Sequence, residues 1–98
     1  MESAELDLNG KTIFVKGDVT FSTVMQILAK GEKYIVAQPS IVVDFASVGG
    51  VDSSAIALIT SWVRKAKASD TNIKIVNLPS NLVVLAKTCG IHDIIPIN

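Results

Sequence analysis

Three adjacent residues with chemically useful side chains, Asp52, Ser53 and Ser54, lie between two apolar segments of the chain. A carboxylate beside hydroxyls can support nucleophilic chemistry, present a phosphate acceptor, or cap a helix by accepting hydrogen bonds from free backbone N–H groups. The preceding Val48-Gly49-Gly50-Val51 stretch predicts a tight turn, because glycine has few steric restrictions. We therefore expect these hydroxyls at the surface, beside the positive end of the helix that follows.

Evidence for catalysis or metal binding is weak. Ser54, His92 and Asp52 supply the residue types of a hydrolase triad, but their spacing fits no known chain order, and triads are defined by geometry. Cys89 and His92 alone cannot complete a metal site, and the Gly49-Gly50 stretch lacks the lysine of a P-loop. We predict a non-enzymatic protein with no catalytic residue, no metal and no cofactor. We expect Cys89 to be a small core residue and His92 to be a surface or helix-capping residue.

Composition excludes several classes of partner. Nine basic and nine acidic side chains cancel, so the chain lacks the basic footprint of a nucleic-acid-binding protein. The longest apolar runs have five residues, whereas a membrane span needs about 20, so we expect no direct membrane insertion. The N-terminus lacks the basic and apolar regions of a secretory signal, and the single Cys89 cannot form an internal disulfide. We therefore expect one cytoplasmic domain over residues 1–98.

The first third of the chain predicts a hairpin followed by a helix. Residues 4–9 alternate polar and apolar side chains, and Asn9-Gly10 is a strong hairpin signal before a returning strand at residues 11–16. Thr20 can cap a helix whose apolar residues recur at helical spacing: Phe21, Val24, Met25 and Leu28. We expect this helix to end near Gly31 or to extend through residues 34–36.

Strands and helices then alternate to the end of the chain. The predicted segments are strand 40–45, helix 56–68 with Trp62 facing the core, strand 73–76, a helix that opens at residues 78–81 and is capped by Gly90, and strand 94–97. Near-continuous apolarity at residues 41–45 predicts a central strand covered on both faces. The order ββαβαβαβ predicts an α/β fold with a mixed, mostly parallel sheet, an N-terminal antiparallel hairpin and helices packed against the sheet.

Essentially the whole chain resembles STAS domains, the anti-sigma-factor-antagonist-like family. The resemblance covers the hairpin, the Val42-Val43-Asp44-Phe45 strand, the Val51-Asp52-Ser53-Ser54 turn into a helix and the late segment 85–91. Within the family it is most similar to the small STAS proteins of bacterial Mla-type phospholipid transporters, through residues 17–24, residues 81–91 and the expected end of the chain after the last strand. One departure is Ala55, where both branches usually have glycine.

The resemblance implies a cytoplasmic accessory subunit that binds the ATPase of an ABC transporter and is held at the inner membrane through that ATPase and its permease. The implied role is phospholipid transport and outer-membrane lipid asymmetry. Ser53 matches the Ser or Thr that Mla-type proteins present to the ATPase. We expect a contact surface that combines the polar turn with neighbouring apolar and small residues: Asp52, Ser53, Ser54, Ala55, Ala57, Ser61, Val48, Val51 and Phe21.

Two alternatives remain open. By resemblance, Ser54 matches the serine that is phosphorylated in anti-sigma-factor antagonists, which implies a regulatory switch that binds an anti-sigma factor or kinase. A phosphate there would add about −1.5 to −2 charge to a contact surface. The second alternative is purely structural: Asp52, Ser53 and Ser54 only cap a helix.

Overall fold

The structure, a computed structural model, describes residues 3–88 as four strands and three helices. In chain order the elements are β1 (Ala4–Asn9), β2 (Thr12–Val19), α1 (Val24–Val36), β3 (Ser40–Val51), α2 (Ser53–Ala68), β4 (Asn72–Val76) and α3 (Ser80–Thr88). This order confirms the predicted α/β fold through α3. The predicted strand 94–97, the Gly90 cap and the placements of Cys89 and His92 lie outside the described residues.

The described strands form one sheet in the order β1-β2-β3-β4. β1 and β2 pair antiparallel through the predicted hairpin, in which Asn9 lies opposite Thr12. Gly10 has φ +62°, the positive value that the first loop residue of a type II′ turn requires. The other two pairings, β2 with β3 and β3 with β4, are parallel. The predicted mixed, mostly parallel sheet is thus confirmed.

The helices cover one face of this sheet. The chain moves from β2 to β3 to β4 in one direction, and right-handed crossovers in a constant direction place α1 and α2 on the same face. Ile41, Val43 and Phe45 are therefore buried, whereas Val42 and Asp44 between them are only half-buried. The prediction that this strand is covered on both faces is wrong for the described part of the chain. Its sequence is almost continuously apolar because Val42, on the more open face, is apolar as well.

Trp62 is the largest fully buried side chain of the core, as predicted. Its Nε1–H donates a 3.1 Å hydrogen bond to the Leu28 carbonyl. Gly31 faces the indole so closely that a Cβ atom there would lie 2.3 Å from the ring. Gly31 is thus a packing residue within α1, and the helix follows the longer of its two predicted extents, through Val36.

β2 and β3 extend beyond their predicted ends, to Val19 and Val51. Residues 48–51 therefore continue a strand, and the predicted glycine turn is wrong. Instead, the absence of side chains at Gly49 and Gly50 leaves room for the Asp18 carboxylate. Asp18 Oδ1 accepts a 2.7 Å hydrogen bond from Gly50 N–H, and a Cβ atom at Gly49 would lie 2.9 Å from the same oxygen.

The apolar stripe predicted for α1 does not match its buried side. The buried residues of α1 are Ile27, Gly31 and Ile35. By contrast, the side chains of Phe21 and Met25 are 74% and 73% exposed. Phe21 lies in the turn before α1. On the helix itself, the buried side is rotated away from the predicted stripe by part of a turn, so Val24 and Leu28 are half-buried at its margin and Met25 points toward solvent.

Candidate protein interaction site

Asp52 forms the one-residue connection between β3 and α2 and caps the helix, as predicted. Its Oδ1 accepts hydrogen bonds from the N–H of Ser54 at 2.9 Å and from the Ser54 Oγ–H at 2.6 Å. Its Oδ2 accepts from the N–H of Phe21 at 3.0 Å. One carboxylate therefore closes the first turn of α2 and also fixes the connection that leads into α1.

The hydrogen bonds that Asp52 accepts lower the pKa of its carboxyl group. Partial burial raises the pKa of its carboxyl group, but the hydrogen bonds from Ser54 and Phe21 outweigh that effect, so this pKa lies below the usual 3.8. Asp52 is therefore a carboxylate at neutral pH. Because a general base works best with a pKa near the operating pH, this group is a poor base for activating a serine.

The connection from β2 to α1 is a tight turn. The Thr20 carbonyl accepts hydrogen bonds from the N–H groups of Thr23 at 3.0 Å and Val24 at 2.9 Å. The Thr23 hydroxyl donates to the Asp18 carbonyl at 2.6 Å and accepts from the Thr20 N–H at 3.0 Å. The cap position of α1 is Thr23 instead of the predicted Thr20, and the turn holds Phe21 at the surface.

The three residues after Asp52 differ in exposure. Ser53 is exposed, Ser54 is 4% exposed and Ala55 is fully buried. The prediction that all of them lie at the surface is wrong for Ser54 and Ala55. Both belong to the first turn of α2, where successive side chains point in directions about 100° apart, so Ser54 and Ala55 turn toward the protein interior while Ser53 faces solvent.

An open apolar groove of about 360 Å³ lies between α1 and α2, next to Ser53. Its lining comes from both helices and the turn before α1: Phe21, Val24, Met25, Leu28, Ser53, Ser54, Ala57, Leu58 and Ser61. Phe21 and Met25 leave most of their surface in solvent. Exposed apolar side chains clustered beside a concave surface are typical of protein interaction sites.

The groove brings together part of the predicted contact surface. Among the predicted residues, its lining includes Phe21, Ser53, Ser54, Ala57 and Ser61. Three further predicted residues are half-buried and lie outside the lining: Asp52, Val48 and Val51.

Sequence reasoning did not assign four of the lining residues to the site: Val24, Met25, Leu28 and Leu58. The sequence did mark three of them as apolar, because Val24, Met25 and Leu28 belong to the predicted stripe, but it placed that stripe against the core. The sequence did not mark Leu58 as a groove residue, because it fits the core-facing pattern of α2. The structure agrees with that pattern, since Leu58 is only 1% exposed.

Within residues 3–88 the structure contains no group of three or more His, Cys, Asp or Glu residues able to hold a metal ion. The helices among these residues are too short or too polar to cross a membrane. His92, the third member of the weak triad pattern, lies outside this range.

The order of the elements, the mixed sheet and the N-terminal antiparallel hairpin match the STAS fold, and STAS domains act in protein–protein interactions. The family model described as "Mlab, STAS domain" matches residues 3–96, so the chain belongs to the STAS domain family. A comparison with curated proteins finds no match.

Solved structures of STAS proteins share this fold. The anti-sigma factor antagonist SpoIIAA in its unphosphorylated form has a TM-score of 0.74 at 20% identity, over 97% of this chain and 85% of that one. An anti-sigma-factor antagonist (STAS) domain protein from Planctomyces limnophilus has a TM-score of 0.73 at 15% identity, over 97% and 88%. The Bacillus cell fate determinant SpoIIAA in its phosphorylated form has a TM-score of 0.71 at 20% identity, over 97% and 88%.

Proposed function

We propose that this protein is a non-catalytic accessory subunit that binds the ATPase of an Mla-type ABC transporter. In this proposal it acts in the cytoplasm, is held at the inner membrane through that ATPase, and supports phospholipid transport and outer-membrane lipid asymmetry. The observation that carries the proposal is the match of residues 3–96 to the family model described as "Mlab, STAS domain".

The groove between α1 and α2 is the proposed contact surface. Phe21 and Met25 offer exposed apolar area, and the exposed Ser53 offers a hydroxyl at the N-terminus of α2. Because Asp52 bonds to both connections, these side chains are held on a preformed surface, which lowers the entropy cost of binding. The domain changes ATPase turnover only if it binds one conformation of the ATPase more tightly than another.

Co-purification with the ATPase tests this proposal. The full chain is co-expressed with the tagged ATPase encoded in the same genome, and ATP hydrolysis is measured with and without the chain. We expect a stable complex and a higher rate of hydrolysis. Absence of a complex together with an unchanged rate would remove the proposal.

A second candidate function is an anti-sigma-factor-antagonist switch controlled by phosphorylation of Ser54. The fold shared with SpoIIAA in both phosphorylation states favours it. The local geometry weighs against it, because the Ser54 hydroxyl is buried and donates to Asp52 at 2.6 Å. A phosphate on Ser54 would face a carboxylate, so the cap of α2 would have to open before modification.

Mass spectrometry of the protein from its native cells separates the two candidates. Stoichiometric phosphate at Ser54, with partner binding lost in Ser54→Asp and retained in Ser54→Ala, would support the switch. Unmodified Ser54 in a complex that contains an ABC ATPase would support the transporter subunit.

A further inference from the structure

Charge is distributed unevenly over the molecule, although the net charge of the chain is zero. The described helices carry six exposed cations and one half-buried carboxylate: Lys30, Lys33, Arg64, Lys65, Lys67, Lys87 and Glu32. The other described carboxylates lie on strands and connections: Glu5, Asp7, Asp18, Asp44, Asp52 and Asp70. Because the helices cover one face of the sheet, the face that contains the groove is basic.

The basic residues continue the groove at the end away from Ser53. Arg64 and Lys65 follow the lining residue Ser61 by three and four positions, so they lie one turn further along the same side of α2. On α1, Glu32 follows the lining residue Leu28 by one turn. Neither Arg64 nor Lys65 forms an ion pair with any residue in the range 3–88, so both are available to a partner.

We propose that the groove binds an acidic amphipathic segment of the partner ATPase. In this complex, large apolar side chains at helical spacing enter the groove beside Phe21 and Met25, and carboxylates lie against Arg64 and Lys65. Apolar burial supplies affinity, as in other helix-in-groove complexes. The opposite charges fix the direction of the segment and speed association. This inference rests on the proposed function and adds the chemistry of the partner surface.

The shape of the site favours a protein segment over an anionic lipid surface. Part of the apolar lining is recessed in a concave groove, where single side chains can insert. The cations are spread over three helices and accompanied by Glu32, whereas lipid-binding segments concentrate four to eight cations in one short stretch.

Charge reversal beside the groove tests the inference. The double variant Arg64→Glu/Lys65→Glu is compared with the matched control Lys11→Glu/Lys74→Glu, in which both positions are exposed and lie outside the helices. Binding to the purified ATPase is measured at about 0.05 and 0.3 M salt, where screening differs strongly. We expect the Arg64/Lys65 variant to bind about tenfold more weakly at low salt and to lose most of its salt dependence, with the control within about twofold of wild type. Circular dichroism verifies that both variants are folded.

Each outcome is decisive. If wild type and the Arg64/Lys65 variant bind the ATPase equally, the inference is overturned and the proposed function stands. If wild type does not bind the ATPase, both are overturned. Phosphatidylcholine vesicles with and without phosphatidylglycerol form the lipid arm. Binding only to the anionic vesicles, lost in the Arg64/Lys65 variant, would overturn the inference in favour of a lipid surface.

Discussion

Asp52 connects the turn that carries Phe21 with the first turn of α2, which carries Ser53. Its carboxylate accepts from the Ser54 backbone and side chain and from the Phe21 backbone. The sequence predicted the helix cap, because Asp before Ser-Ser at a strand–helix junction is a typical cap. The bond to Phe21 joins residues 31 positions apart, and no local pattern could have revealed it.

Substitution of Asp52 by alanine should destabilise the fold. We expect the free energy of unfolding to fall by about 1–2 kcal/mol, because the variant loses the helix cap and leaves the Phe21 N–H without its acceptor. Urea denaturation measures the change. Asp7→Ala is the control, since Asp7 pairs with Lys16 at the exposed surface, where ion pairs contribute little. Equal stability of Asp52→Ala and wild type would contradict the structural role of this carboxylate.

Acid should remove the contribution of Asp52. Its folded-state pKa lies below the usual 3.8, so its stabilising effect is complete above that value and is lost as the pH falls through the folded-state pKa. We expect the stability difference between wild type and Asp52→Asn to shrink from neutral pH to about pH 3. The Asp7–Lys16 pair is present in both proteins, so its titration cancels in the difference. A difference that stays constant or grows on acidification would contradict the assigned shift.

At the level of elements, the sequence predicted which segments are helices and strands better than where they end. Alternation and the Asn9-Gly10 signal revealed β1 and β2, because hairpin turns are local. β3 continues through Gly49 and Gly50 because Asp18, on the neighbouring strand, bonds to Gly50. The role of Gly31 likewise depends on Trp62 in another helix. Pairing partners on other elements therefore decided these boundaries, and a single sequence does not reveal them.

Replacement of Gly31 by alanine should weaken the packing of α1 on α2. The added Cβ would lie 2.3 Å from the Trp62 ring, so the helix or the indole must shift. We expect a net loss of about 1–2 kcal/mol, because overpacking exceeds the gain in helix propensity. Denaturation followed by the fluorescence of Trp62 measures it, with the exposed neighbour Lys30→Ala as control. A Gly31→Ala variant at least as stable as wild type would show that the two helices are less tightly packed than the structure indicates.

At the level of the whole molecule, the helices cover one face of the sheet. The groove and most of the cations therefore lie on the same surface. The groove contains five of the nine predicted contact residues: Phe21, Ser53, Ser54, Ala57 and Ser61. The other four lie outside its lining: Val48, Val51, Asp52 and Ala55. The sequence could not predict the exposure of Met25, because helical spacing identifies an apolar arc without showing which part of the arc the core covers. A zero net charge also concealed the separation of charge between helices and strands.

We propose that the groove between α1 and α2 binds another protein, and replacement of Ala57 by arginine would block that groove. Ala57 is exposed and lines the groove, whereas the control position Ala68 is exposed at the end of the same helix and outside the groove. Capture of the full chain by the purified transporter ATPase is measured for both variants, after denaturation has shown stabilities within about 0.5 kcal/mol of wild type. We expect Ala57→Arg to lose capture and Ala68→Arg to retain it. Capture of Ala57→Arg at the wild-type level would show that the groove is not the contact surface.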